Sequence, residues 1–243
     1  MSGATPHPMT GHDAFSPSEI ASLVETRGVA KVNAPVFTTF VLSVVAGAFI
    51  ALGAVLSTTV VAGHVRPGHL VRNWAIVYVG NAVGALSVVV IVTVAEWWRL
   101  GDGAVGVTAL STAAAKTDLS ITAVFGRGIL ANALVCLAVW LATGGRTVLD
   151  KIAAIMFPVS AFVAAGFEHS IANMYFIPMG LVLRANEEIV AAAHLPAREL
   201  ASLNLTGLSM NLAASTLGNV VGGSVLVGLV YWFVYLAPGE RTR

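Results

Sequence analysis

The sequence predicts an all-α membrane protein, a helical bundle of five apparent spans with the fourth one broken. Three observations carry that prediction. Hydrophobic residues fill 57% of the 243 positions and charged residues only 10%, far below the quarter or so that soluble domains carry. Five apolar runs, each about the twenty or more residues that a membrane-crossing helix needs, account for most of the length. The fourth run holds a carboxyl, an imidazole, a hydroxyl and an amide close together, and such groups are costly in lipid unless they are paired or face water.

In chain order, residues 1–34 form a polar tail containing Pro6, Pro8 and Pro17. The tail lacks the basic-then-apolar pattern of a cleaved signal peptide. Ser16-Pro17-Ser18-Glu19 supplies a helix start, and Ile20, Leu23 and Val24 add a weak apolar stripe. Such a helix either lies along a membrane surface or is simply solvated. A transmembrane domain over 35–236 follows, with spans at Val36–Ala62, Asn73–Ala95, Ile121–Thr143, Ile152–Leu183 and Leu205–Leu236, and 237–243 is a short carboxy-terminal tail. Trp74, Trp97, Trp98, Tyr231, Trp232 and Tyr235 mark span ends, which suits the headgroup level or aromatic packing between helices. Cys136 is the only cysteine and falls inside a span; it forms no intrachain disulfide and reads as a buried thiol. A net charge of +1 without basic runs argues against a nucleic-acid partner.

Two spans share a pattern: Asn73, Gly80, Asn81 and Gly84 recur at equal offsets as Asn211, Gly218, Asn219 and Gly222. The repeat points to two related halves, and each glycine pair lets helix backbones approach closely. The first half is shorter by about fifty residues, the length of a span with its loop. Charge placement agrees. Arg27 and Lys31 precede the first span while Arg66 and Arg72 follow it, so both of its ends carry the basic mark of the inner side. The 96–119 loop, with Glu96, Asp102 and Asp118, is expected outside; Arg146, Lys151, Arg241 and Arg243 are expected inside.

The interruption is expected over Gly166–Asn173, flanked by Pro158 and Pro178, because glycine and proline disfavour a continuous helix. Two half-helices then meet near mid-membrane, and their freed backbone groups must face protein or a water-filled cavity. A transport or proton site is the default reading of such a break. Glu168 fits two roles, proton partner or structural acceptor. Asn173 and Ser170 are expected to satisfy the broken backbone. His7, His12, His64, His69 and His194 have no ligand spacing, so no metal or cofactor is assigned.

Gly166-Phe167-Glu168-His169-Ser170-Ile171-Ala172-Asn173-Met174, followed by Ile177-Pro178-Met179-Gly180, resembles the signature of the formate/nitrite transporter family. Asn73-Trp74 with Tyr78, Gly80 and Asn81 resembles its third helix, and residues 130–140 resemble its fourth, closest to the formate-channel branch. The resemblance implies an aquaporin-like inverted-repeat bundle, six-helix protomers each with its own pore, and a homopentamer in the plasma or inner membrane with the carboxy terminus cytoplasmic. The chain departs from it by lacking the second helix and the loop that interrupts that helix, which in the family supplies one constriction and a threonine facing the central histidine. A groove is therefore expected beside Phe162 and His169.

A small anion enters hydrocarbon at high cost and its neutral acid at far lower cost, so a pore needs an attracting cation and a proton source at its dry centre. His169, whose ordinary pKa lies near neutrality, suits the source; its alternative is a structural core histidine. The resemblance makes Lys116 the vestibule cation, where residues alone give a loop charge paired with Asp118. It places Asn132 near Lys116 and the Glu168–His169 pair, against interhelical glue, and makes Phe162 a constriction, against simple core. The implied function is a channel or transporter for formate, a small monocarboxylate, with nitrite or hydrosulfide as related inorganic anions. Two rivals stand: an intramembrane enzyme using Glu168 and His169 as acid and base, which has no accompanying nucleophile, and a non-conducting membrane scaffold.

Overall fold

Residues 15–45 and 66–236 are described in a computed structural model. Ser16 opens α1 (Pro17–Val32) with a capping box: its hydroxyl accepts from the Glu19 amide at 3.4 Å, and the Glu19 carboxylate accepts from the Ser16 amide at 2.7 Å. These reciprocal bonds fill donors that a bare helix start leaves empty and hold the Glu19 carboxyl below its usual range. After Pro35 the chain enters α2 (Val36–Val45), and α3 runs over Pro67–Val94.

Leu70 and Trp74, in the first turns of α3, pack against Val29 and Val32 at the end of α1. Both α2 and α3 thus begin at the end where α1 lies, and Arg27, Lys31, Arg66 and Arg72 share that end. The first span is expected over Val36–Ala62. Only the part of that expected span up to Val45 is described; its remainder, like residues 1–14 and 237–243 of the tails, lies outside the described residues.

The segment expected as a loop over 96–119 is instead a short turn at Trp97–Arg99 followed by α4 (Ala104–Asp118). Its Ala113-Ala114-Ala115 stretch favours helix without a long apolar run, so polarity alone hid the element. Then come α5 (Ile121–Gly144), α6 (Val148–Ala164), α7 (Ser170–Leu183), α8 (Glu187–Ala193), α9 (Ala197–Ser202) and α10 (Leu205–Val220); the last helix continues in looser π-type winding over Val221–Leu229 and Trp232–Leu236. Among the described residues, three helices are long and apolar enough to cross a membrane alone, Pro67–Val94, Ile121–Gly144 and Leu205–Tyr235. The stretch expected as one span at Ile152–Leu183 is instead two shorter helices in series, α6 and α7.

Glycine brings α5 and α10 together. A Cβ on Gly218 would strike the Phe125 carbonyl, one on Gly222 the Ile129 carbonyl, and Gly128 lies opposite Gly218; these glycines permit backbone contact where any side chain would separate the helices. At the far end of this pair Trp140 stacks on Tyr231 at 3.9 Å, the inter-helix alternative for that aromatic. Cys136 is buried there beside Ala133 and Val227. The largest apolar core joins α4, α7 and α8 through Leu110, Ala113, Ile177, Met179, Leu183 and Ile189. In contrast, α6 packs chiefly on α5 and buries none of its residues.

Candidate functional site

The interruption is shorter than expected, covering Ala165 to His169, because Gly166 alone ends the first helix and Ser170–Asn173 is already helical. Gly166 adopts φ +64°, a conformation in which side chains are strained. Its amide donates to the Val163 carbonyl at 3.1 Å and the Phe167 amide to the Phe162 carbonyl at 3.0 Å, the two bonds of a Schellman motif. Two residues later His169 caps α7, its Nδ1 accepting from the Ala172 amide at 3.4 Å. Pro158 and Pro178 sit inside α6 and α7 and end neither; membrane helices tolerate the lost bond when neighbours re-satisfy the backbone.

Side chains from five helices, α4, α5, α6, α7 and α10, converge on this crossing. Lys116, in the last turn of α4, donates from Nζ to Glu168 Oε1 at 2.9 Å, and its ammonium also lies 5.6 Å from the Phe176 ring centre. Glu168 is only 1% exposed, so this ion pair is desolvated and depends on its remaining hydrogen bonds. They are present: Oε2 accepts from Asn173 Nδ2 at 2.6 Å and from Asn211 Nδ2 at 3.1 Å. Asn211 in turn accepts from Asn173 at 2.7 Å and donates to the Lys116 carbonyl at 3.0 Å. The alternative pairing of Lys116 with Asp118 is not formed; Asp118 pairs with Arg198.

The backbone of the crossing is held by Asn219. Its Nδ2 donates to the Glu168 carbonyl at 2.9 Å and to the Gly128 carbonyl at 2.8 Å, while its Oδ1 accepts from the Ser170 amide at 2.9 Å. Asn173 and Ser170 therefore do not have the backbone role expected of them. Asn173 serves the Glu168 carboxylate because, one turn into α7, its side chain faces Glu168. The Ser170 hydroxyl is buried and has no hydrogen-bond partner among the described residues. Asn132 reaches the network one step removed, donating to the Asn219 carbonyl at 2.5 Å across α5 and α10. The repeat motif singled out Asn211 and Asn219 without giving them a site role; their equal offsets were the available signal.

The His169 ring is 7% exposed and stacks on Phe162, with centroids 5.6 Å apart and planes 25° apart. With Nδ1 accepting the cap bond, the proton of the neutral ring belongs on Nε2. All six expected site residues thus gather around one crossing: Lys116, Glu168 and Asn173 in direct contact, His169 and Phe162 as a stacked pair, and Asn132 through Asn219.

A cavity of about 430 Å³ lies alongside, lined by Trp74 and Tyr78 of α3, Asn132 of α5, Ser170 and Ile171 of α7, and Thr216 and Asn219 of α10. Its lining includes neither Phe162 nor His169, the residues beside which a groove is expected. Tyr78 and Thr216 meet across it at 3.0 Å.

The profile of the formate/nitrite transporter family matches residues 57–233. The formate channel FocA of Escherichia coli strain K12 is 34% identical over 277 aligned positions, covering 94% of this chain and 97% of that protein. The alignment is longer than the chain itself, so part of the relative has no counterpart here. Among solved structures, an FNT family ion channel superposes with a TM-score of 0.73 at 25% identity, covering 89% of this chain and 99% of that one. A pentameric formate channel with formate bound superposes with a TM-score of 0.64 at 29% identity, covering 91% and 98%. These relatives are named as channels, in agreement with the transport reading and against the enzyme. With its signature crossing, its repeat and these likenesses, the chain belongs to the formate/nitrite transporter family.

Proposed function

We propose that this chain carries formate, and with it nitrite or hydrosulfide, across the plasma or inner membrane as a homopentamer with a path in each protomer and the carboxy terminus in the cytoplasm. The observation that carries the reading is the stacked His169–Phe162 pair next to the desolvated Lys116–Glu168 pair at a helix interruption. Lys116 supplies positive charge near the mouth, and Glu168 with Asn173 fixes its position. The amino-terminal end of α7, capped by His169, adds a partial positive charge that favours an arriving anion. His169 then donates the Nε2 proton of its imidazolium to the anion's oxygen, the neutral acid moves on, and the neutral ring is reprotonated from water. Protonating Nδ1 to make the imidazolium sacrifices the cap to Ala172, a loss kept small by that bond's 3.4 Å length. Phe162 covers the ring as a constriction, and Asn132 holds α5 to the crossing.

A second reading, a non-conducting scaffold, is favoured by the lack of any buried residue in α6. Formate uptake by liposomes separates the two. His169→Phe is expected to abolish uptake with assembly intact, and equal flux in that variant would refute the proton-donor role. Wild-type protein that assembles and carries no anion would favour the scaffold.

A further inference from the structure

Arg127 stands at the seventh position of α5, about 9 Å along the helix axis from its start. It is exposed in the protomer although it lies within a span. Among the described residues, no carboxylate pairs with it. Its one hydrogen bond runs from Nη1 to the Gly166 carbonyl at 3.4 Å, a long bond that leaves most of the guanidinium's five donors unused. A bare guanidinium at such depth needs an anion, a wet path or a covering subunit.

Its position decides among these. Lys116 and Arg127 reach the same short crossing, one at Glu168 and the other at Gly166. Glu168 neutralises Lys116, so the charge of Arg127 is the uncompensated one at the interruption. It adds to the positive end of α7, which faces the same crossing. The planar fork of an arginine suits a carboxylate or another small oxyanion.

We propose that Arg127 is a second anion-attracting residue of the permeation path, holding a small monovalent oxyanion at the interruption before it reaches His169. The proposal rests on the transport reading above. It leaves Lys116 its charge near the mouth, shared with Glu168, and gives Arg127 the unpaired charge that the anion meets at the interruption.

The test uses the full chain in liposomes, with formate as the probe and oligomeric state followed in parallel. Arg127→Gln is expected to raise the half-saturating formate concentration about fivefold, the scale of one unit charge acting over around 10 Å through a half-hydrated path, and to weaken the dependence of uptake on ionic strength. Arg127→Lys should stay near wild type. Arg127→Cys allows the charge to be set chemically, because Cys136, the only native cysteine, is buried. A cationic methanethiosulfonate adduct should restore affinity and an anionic one lower it further, with treated wild type unchanged. Wild-type affinity in Arg127→Gln, or equal effects of the two adducts, would overturn the assignment. So would loss of the oligomer in Arg127→Gln with normal affinity in the surviving assemblies, which would make Arg127 a subunit contact. Wild-type protein without formate uptake would sink the transport reading together with this one, whereas normal wild-type uptake with insensitive variants sinks this one alone.

Discussion

Replacing Asn219 by leucine should cost far more than the same change at its repeat partner Asn81. Both amides are buried, 1% and 2% exposed respectively, and both changes keep the branched outline while adding the same bulk. Asn219 makes three hydrogen bonds to the backbone, at Gly128, Glu168 and Ser170. Side-chain hydrogen bonds within membrane bundles are worth about 0.6 kcal/mol on average and up to about 1.7, so Asn219→Leu should cost roughly 2–5 kcal/mol, with the upper part set by the orphaned Ser170 amide. Among the described residues Asn81 makes one local bond, to the Val77 carbonyl at 2.8 Å, and its buried Oδ1 has no partner. Leucine there exchanges one bond for relief of an unmet acceptor, and the net change should stay within about 1 kcal/mol. Unfolding titrations in mixed detergent micelles, followed by circular dichroism, measure both. Equal losses at the two positions, or a larger loss at Asn81, would refute the argument that Asn219 stitches the crossing.

Lys116→Ala should weaken apparent formate affinity more than Lys116→Arg, and should also lower stability by about 3–5 kcal/mol, because Glu168 is left buried without its cation; uptake and micelle unfolding check both, and two wild-type-like variants would return Lys116 to an ordinary charge. Gly218→Ala should destabilise the bundle by more than about 2 kcal/mol, since its Cβ meets the Phe125 carbonyl and backbone cannot yield cheaply. Gly126→Ala, with nothing within 4 Å of the added carbon, should instead stabilise by about 0.5–1 kcal/mol, and thermal melting of the two variants gives the comparison.

Much of this architecture was legible because apolar length and special residues report on backbone directly. Gly166 announced a helix end, and the polar group after it announced a site. The equal offsets of Asn211 and Asn219 with Gly218 and Gly222 announced a close-packed helix carrying amides. What stayed hidden was pairing over distance. Lys116 and Glu168 lie far apart in sequence, and residues alone favoured Asp118, two positions away, as the partner of Lys116. The backbone role expected of Asn173 and Ser170 likewise falls to Asn219, because spacing shows which residues share a helix and not which turn meets the interruption. Pro158 and Pro178 misled for a different reason: neighbouring helices offset the bond a proline removes, so the residue that looks like a breaker need not break.

The junction of α6 and α7 joins two halves held very differently. Eight residues of α7 are buried, including Ile177 and Met179, whereas α6 buries none. Between them the Schellman bonds hold Gly166 and Phe167, Asn219 holds the Glu168 carbonyl, and the His169 cap holds the start of α7. The protomer therefore resembles a lever set in a fixed mount. Any tilt of α6 is carried to Phe162, two residues from its end, and the Phe162 ring sits on the imidazole of the fixed side. Forces on α6, which buries none of its residues, are in this way read out at the Phe162–His169 stack, while the ion pair and its asparagines stay where α4, α7 and α10 hold them.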